Sequence, residues 1–200
     1  MLRPGLLRGV TLAVARVGGS DDSAIARAVS TGGEGLGARV AELSLLDADG
    51  VAHDEAAVDA AVERMLGEVG TVRLLAVDAS CVLPAGDARA ALVGGLEASW
   101  NVTRALANQS LIPSGRGGRI VYVAPRPNAG EHAEAVRAGL ENLARTLSIE
   151  WSRHAITPVA IAPGEDTTAD EVAALVAYLA SPAGAYFSGC ELDLTGPSQP

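Results

Sequence analysis

The sequence predicts an α/β protein built on a doubly wound, mostly parallel sheet of about seven strands with helices on both faces. Two observations lead to this prediction. Apolar runs of strand length alternate with helical patterns along the chain, and the central runs are almost continuously apolar, as in strands that are buried on both faces. The 200 residues suit one compact domain over 1–200, with no linker or repeat.

The first elements are an apolar strand, a capped helix and a second strand. Residues 10–17 form the first apolar run, and the Asp-Asp-Ser sequence at 21–23 can cap a helix over 23–30. Residues 33–38 match the string GxGxxA, but they follow a helix and precede a strand. A phosphate-binding loop needs the opposite order, so these glycines predict a flexible connection to a short strand over 38–43.

The middle of the chain alternates two helices with two strands. Residues 54–69 form a strongly amphipathic helix. Residues 72–77 are apolar apart from Arg73, which predicts a central strand. A long helix over 88–109 and another buried strand over 119–123 follow.

The C-terminal elements carry the clearest signals. Residues 131–153 place apolar side chains at helical spacing. A strand over 157–162 stops at the Pro-Gly pair 163–164, since proline cannot donate to a strand ladder. A helix over 168–180 and a last strand over 191–194 close the sheet.

Charge and composition exclude several function classes. The net charge of −9 and the pI of about 4.8 disfavour nucleic-acid binding, which needs a basic stripe. No apolar run approaches the ~20 residues that cross a bilayer. The N-terminus imitates a signal peptide, but Arg16 interrupts its apolar stretch, so a cytoplasmic protein is expected. Cys81, Cys190 and the three histidines lack metal-ligand spacing, and no metal site is expected.

Several segments resemble the short-chain dehydrogenase/reductase family, close to its ketoacyl-reductase-like members. Residues 118–121 are similar to the strand that leads to the family's catalytic serine, and residues 138–147 to the helix after the catalytic tyrosine and lysine. Residues 162–164 match the Pro-Gly turn, and residues 170–189 the C-terminal helix and its approach to the last strand. The resemblance implies a Rossmann-like fold, nicotinamide chemistry and assembly through the two long helices.

The family's glycine-rich cofactor turn is degenerate in this chain. Its three glycines are not in place, and two carboxylates stand where backbone amides and the helix N-terminus would meet the cofactor phosphates. Asp78 also places a carboxylate where the cofactor's sugar would pass. We therefore expect no cofactor, and NAD(P) only if the degenerate site still binds it. The residues of that turn are Ala15, Arg16, Gly18, Gly19, Asp21 and Asp22.

The resemblance also places the catalytic positions on residues that cannot do the family's chemistry. The tyrosine position falls on Ala133, the lysine position on Arg137, the serine position on Pro125 and the asparagine position on Gly95. Alanine, proline and glycine have no side-chain proton to give, and arginine does not shuttle protons near neutral pH. We expect no catalytic residue at these four positions.

Other residues nearby leave a role in catalysis open. His132 is adjacent to the vacant tyrosine position and is a candidate acid/base. Tyr122 and Asp78 lie near the strand ends that face this region, but Tyr122 is favoured as a core or rim residue and Asp78 as a partner of a backbone amide.

Three functional hypotheses follow. The favoured one is an inactive pseudoenzyme subunit that assembles with an active ketoacyl-type reductase, or with itself, through the two long helices. The second is an active NAD(P)-dependent oxidoreductase that uses non-standard residues, and the third is a small-ligand binding protein. The expected interface residues are Leu96, Trp100, Leu140, Leu147, Trp151, Tyr186 and Phe187.

Overall fold

A computed structural model describes residues 2–17, 23–45, 54–80 and 87–196. Its strands form one fully parallel sheet in the order β2-β1-β3-β4-β5-β6. The strands are β1 (Thr11–Arg16), β2 (Arg39–Ser44), β3 (Leu74–Asp78), β4 (Gly118–Val123), β5 (Ile156–Pro163) and β6 (Glu191–Leu194). The α-helices are α1 (Ala24–Gly35), α2 (Glu55–Val69), α3 (Ala88–Leu92), α4 (Ala98–Leu106), α5 (Ala133–Glu150) and α6 (Ala169–Ala180).

The predicted fold class is confirmed, with one correction to the strand count. The sheet has six strands within the described residues, where the sequence predicts about seven. Each of the six apolar runs that the sequence analysis names as a strand corresponds to one of these six strands.

Helices cover both faces of the sheet, and each face has its own core. Buried side chains of α2, α4 and α5 pack on one face, and those of α1 and α6 pack on the other. The chain proceeds from β1 to β2 on one side and from β3 to β6 on the other. The strand order therefore reverses between β1 and β3, and α/β sheets bind ligands at the carboxyl ends of strands beside such a reversal.

Helix α1 is longer than predicted, because glycines that suggest a loop belong to its last turns. It continues to Gly35, and the positive φ of 91° at Gly37 then turns the chain into β2. A Cβ on Gly33 would lie 2.9 Å from Leu12 Cδ2 of β1, so glycine at this position lets the helix approach the strand closely. The GxGxxA string therefore serves helix–strand packing.

The two long predicted helices are both present, but the first is not a regular α-helix throughout and the second is shorter than predicted. Residues 88–111 are continuously helical but contain two π-helical stretches, Val93–Glu97 and Ala107–Leu111. The second helix spans Ala133–Glu150, and a short 3-10 turn, Ser152–His154, follows it. None of the helices in the described parts of the chain is both long enough and apolar enough to cross a membrane.

Candidate functional site

The candidate site lies where the carboxyl ends of β3, β4 and β5 approach the starts of α1 and α5. Residues 18–22 directly follow β1 and lie outside the described residues. The expectations for Gly18, Gly19, Asp21 and Asp22 therefore stay predictions. The rest of the degenerate turn, Ala15 and Arg16, belongs to β1.

Asp78 joins the end of β3 to the N-terminus of α1. One carboxylate oxygen accepts hydrogen bonds from the Ser23 hydroxyl and, at 3.1 Å, from the Ala26 backbone N–H. The other accepts from the Ser80 backbone N–H at 3.0 Å and the Ser80 hydroxyl at 2.5 Å. The side chain is 4% exposed. Four donors thus satisfy a buried carboxylate, which uses the positive end of α1 that would otherwise attract an external anion.

Arg16 contacts the neighbouring strand. Its guanidinium lies 3.6 Å from the Glu42 carboxylate of β2, and Glu42 also accepts a 2.6 Å hydrogen bond from Ser30 of α1. Ala15 is fully buried in the core. These contacts link β1, β2 and α1 through side chains of the chain itself.

Arg137 ties helix α5 to two strand ends. Its Nη1 donates to the Pro125 carbonyl at 2.7 Å, just beyond β4, and to the Pro163 carbonyl at 2.9 Å, at the end of β5. The side chain is 9% exposed, and its Nε lies 3.4 Å from the carboxylate of the exposed Glu134. A cation so thoroughly buried is stable because carbonyl oxygens and a carboxylate surround it.

The structure brings the other predicted catalytic positions close to Arg137. Ala133 is fully buried one helical turn before Arg137. The Pro125 carbonyl accepts a hydrogen bond from the Arg137 guanidinium. Gly95 faces Val136 across the two helices, and a Cβ on Gly95 would lie 2.8 Å from Val136 Cγ1. Only a glycine permits this helix–helix approach without rearrangement, so the position has no room for an asparagine side chain.

Arg126 fixes the loop after β5, a role that sequence reasoning missed. Its guanidinium donates to the carbonyls of Gly164 and Glu165, each at 2.8 Å, and to the carbonyl of Thr167. The Thr167 hydroxyl accepts from the Gly164 N–H at 2.9 Å and donates to the Leu194 carbonyl at 3.2 Å. The short connection between β5 and α6 is thereby closed against the end of β6. No local sequence signal marks Arg126, because its partners lie about 40 residues away.

Two candidate residues remain, Tyr122 in the core and His132 with a buried nitrogen that lacks a hydrogen-bond partner among the described residues. Tyr122 is fully buried and donates to the Thr103 hydroxyl at 3.1 Å, and burial raises the pKa of its phenol above the ordinary range. Tyr122 is therefore a neutral core residue. His132 directly precedes α5, and its buried Nε2 has no hydrogen-bond partner among the described residues.

A groove between the two long helical segments is lined by two of the exposed large apolar side chains, Leu92 and Trp100. It encloses about 790 Å³, with Leu92, Leu96 and Trp100 on one wall and Leu143 on the other. The Trp100 and Trp151 rings stack with centroids 6.4 Å apart. Leu92 and Trp100 are 38% and 37% exposed, so the groove presents adjacent apolar side chains to solvent.

The expectation that Leu140 and Leu147 belong to an interface is corrected, because both are buried within the chain. Leu140 and Leu147 pack into the chain's own core and offer no surface to a partner. Helical spacing shows that they share a face, but it does not say whether that face meets the sheet or the solvent. Tyr186 is 92% exposed, whereas Phe187 packs edge-on against Tyr178 with centroids 6.0 Å apart.

Comparisons with known proteins show that solved dehydrogenase structures share this fold. No protein-family model matches the sequence, and no curated protein is significantly similar to it. Solved structures do match over nearly the whole chain. A citronellol catabolism dehydrogenase of Pseudomonas aeruginosa PAO1 is 27% identical, with a TM-score of 0.79, and the match covers 97% of this chain and 96% of that one.

Two further structures share the fold at lower identity. A hydroxysteroid dehydrogenase from Escherichia coli is 18% identical with a TM-score of 0.79, and the match covers 97% of this chain and 99% of that one. A short-chain dehydrogenase from Mycobacterium smegmatis is 21% identical with a TM-score of 0.77, covering 98% and 95%. The parallel sheet, its strand order and these similarities identify the chain as having the fold of the short-chain dehydrogenases/reductases.

Proposed function

We propose that this protein is a catalytically inactive short-chain dehydrogenase/reductase-like subunit that assembles with an active ketoacyl-type reductase in the cytoplasm. The observation that carries the proposal is Arg137. At the position that the resemblance assigns to the catalytic lysine, a guanidinium donates to two backbone carbonyls and holds strand ends together. Its neighbours Pro125, Ala133 and Gly95 supply no proton donor.

The described residues do not fit a dinucleotide at this edge of the sheet. The Ala26 N–H and the Ser23 hydroxyl, which stand at the N-terminus of α1, already bond the Asp78 carboxylate. A phosphate beside that carboxylate would meet a like charge in a buried place, at a cost of several kcal/mol at an effective dielectric near 20. Arg126 and Thr167 fix the loop after β5 in a closed conformation. Nicotinamide chemistry is therefore no part of the proposed role.

The groove supports assembly through the long helices. It presents Leu92, Leu96 and Trp100 to solvent between Arg89 and Glu97, the arrangement of an apolar centre with a charged rim that protein interfaces favour. A subunit that catalyses no reaction can still affect catalysis by binding an active enzyme. We therefore assign the groove to a catalytically competent short-chain reductase, which this subunit would stabilise or whose pocket it would shape.

The first test is titration of the purified protein with NADH and NADPH, followed by tryptophan fluorescence and thermal shift. No change up to millimolar cofactor is expected. A melting temperature that rises with cofactor concentration, as mass action requires for binding to the native state, would contradict the misfit at Asp78.

The second test addresses assembly. The protein is co-expressed with a tagged, catalytically active ketoacyl-type reductase, and the complex is isolated through the tag. Leu92→Glu places a charge in the groove and should abolish co-purification, whereas Ala56→Glu on the exposed start of α2 should leave it intact. Equal recovery of the wild type and both variants would remove the groove from the proposal.

A second candidate function rests on His132. Its buried Nε2 lacks a partner in the described parts of the chain, and it directly precedes the vacant tyrosine position. Histidine is a common acid/base in enzymes, and this one has a hydrogen-bonding nitrogen that the fold leaves unused. Measurable NAD(P)H-dependent carbonyl reduction that His132→Ala removes would favour an oxidoreductase with non-standard residues over the inactive subunit.

A further inference from the structure

The opposite edge of the sheet, at the amino ends of the strands, holds a cluster of four arginines. Arg8 precedes β1, Arg73 precedes β3, Arg116 precedes β4, and Arg119 lies within β4. Parallel strands bring these positions to one edge. The backbone places two of them in contact, since the Arg119 N–H donates to the Arg73 carbonyl at 2.9 Å. All four side chains line one cavity of about 720 Å³.

The cluster lacks compensating negative charge. No aspartate or glutamate lines the cavity, and none of the four guanidiniums has an ion pair within the described chain. Elsewhere, four arginines each contact a carboxylate, and Arg39 and Arg126 instead donate to backbone carbonyls. A cavity lined by four arginines and no acidic residue stands out in a protein whose net charge is −9. Four neighbouring cations without an anion repel one another, unless a ligand supplies the anion.

One of the arginines is partly used by the fold. Arg119 Nη1 donates to the Leu179 carbonyl at the end of α6, where the helix dipole is negative. Burial and the neighbouring Arg73 both lower the pKa of Arg119, which fits guanidiniums held close together in a half-buried place. Arg8, Arg73 and Arg116 keep all their side-chain donors available to a ligand, because none of them makes a side-chain hydrogen bond to the described chain.

We propose that this cavity binds a small phosphorylated molecule, with a phosphate monoester or diphosphate on Arg8, Arg73 and Arg116. Planar guanidiniums donate in pairs to phosphate oxygens, and a group that carries two or three negative charges matches the cluster better than one carboxylate does. The lining also includes apolar residues, among them Leu6, Val10 and Pro182, which suit the organic part of such a ligand. The volume lies within the usual range of small-molecule sites.

The inference does not depend on the proposed assembly role. The arginine cavity lies at the amino ends of the strands, whereas Arg137 and Asp78 lie at their carboxyl ends. Phosphate binding at one edge and cofactor binding at the other are therefore separable by mutation.

The test uses inorganic pyrophosphate as the probe, with isothermal titration calorimetry and thermal shift on the full chain. Sodium chloride at the same ionic strength controls for screening, and citrate controls for a polycarboxylate. Saturable binding of pyrophosphate beyond the chloride effect is expected, with weaker binding of citrate. Arg73→Gln and Arg116→Gln should each weaken pyrophosphate binding about tenfold, the effect of one lost charge-assisted hydrogen bond.

Arg64→Gln on the exposed face of α2 is the matched control and should change the affinity less than about twofold. Arg116 is exposed, so its variant keeps the fold even if the Arg73 variant is unstable. Three outcomes would overturn the proposal: no saturable effect beyond chloride, wild-type affinity in Arg116→Gln, or tighter binding of citrate than of pyrophosphate.

Discussion

Replacing Arg137 with methionine measures how much of the stability depends on the tie between α5 and the strand ends. Methionine keeps most of the volume but removes every donor. The carbonyls of Pro125 and Pro163 then lose their hydrogen bonds in a region where Arg137 itself is only 9% exposed. An unsatisfied buried group costs about 1–3 kcal/mol, so the two carbonyls together cost about 2–6 kcal/mol. The contact with Glu134 adds little, since that carboxylate is 74% exposed.

The assay is urea and thermal denaturation of wild type and variant. For a domain of this size, a loss of about 4 kcal/mol lowers Tm by about 8–16 °C. Arg145→Met on the same helix is the matched control, because Arg145 is 62% exposed and pairs only with Glu141 one turn away. That change should cost about 0.5 kcal/mol or less. An Arg137→Met loss no larger than the control's would refute the reasoning that Arg137 is a structural tie.

Three further changes test individual contacts. Asp78→Asn should lower the free energy of unfolding by about 1–3 kcal/mol in urea titrations, because an amide group faces donors that only a carboxylate satisfies on both oxygens. Gly95→Ala should cost about 1–3 kcal/mol in the same titrations, since its Cβ overlaps the facing helix, whereas Gly94→Ala meets nothing within 4 Å and should be neutral or slightly stabilising. Glu171→Gln should lower Tm at pH 7, and the difference should vanish as the pH falls well below 4.5, because hydrogen bonds from Thr168 lower the pKa of the native carboxyl.

Each of these expectations has an opposing result. Wild-type stability in Asp78→Asn would mean that the bonds at the start of α1 contribute nothing net. Equal effects at Gly95 and Gly94 would show that the helix approach is not tight at Gly95. For Glu171, a carboxyl with a depressed pKa stabilises the native state above its unfolded pKa and stops doing so at lower pH. A Tm difference that persists in acid would therefore have another cause.

Much of the fold is predictable because it is encoded locally. The run over 157–162 becomes β5 with one residue added at each end, and the strand over 191–194 matches β6 residue for residue. Periodicity also finds α2 to within one residue and α5 to within three residues at each end. Alternation of these elements is enough to infer a parallel sheet with helices on both faces.

What the sequence does not reveal depends on contacts between distant residues. Gly33 looks like a loop residue until Leu12 of β1 is seen against it. Arg126 gives no local sign that it bonds three carbonyls of the loop after β5. Asp78 is recognisable from the sequence as an odd carboxylate, but its four donors come from both sides of the strand reversal. Tertiary proximity decides each of these roles.

Arg126 and Arg137, at the carboxyl edge, make all their side-chain hydrogen bonds within the described chain to backbone carbonyls. Every residue type offers that acceptor, so replacing the side chain of Glu165 or Thr167 does not remove it. Substitutions in these loops therefore leave the hydrogen bonds intact as long as Arg126 and Arg137 are present. Distant homologues that keep both arginines should keep the conformation of these loops, even where the loop sequences differ widely.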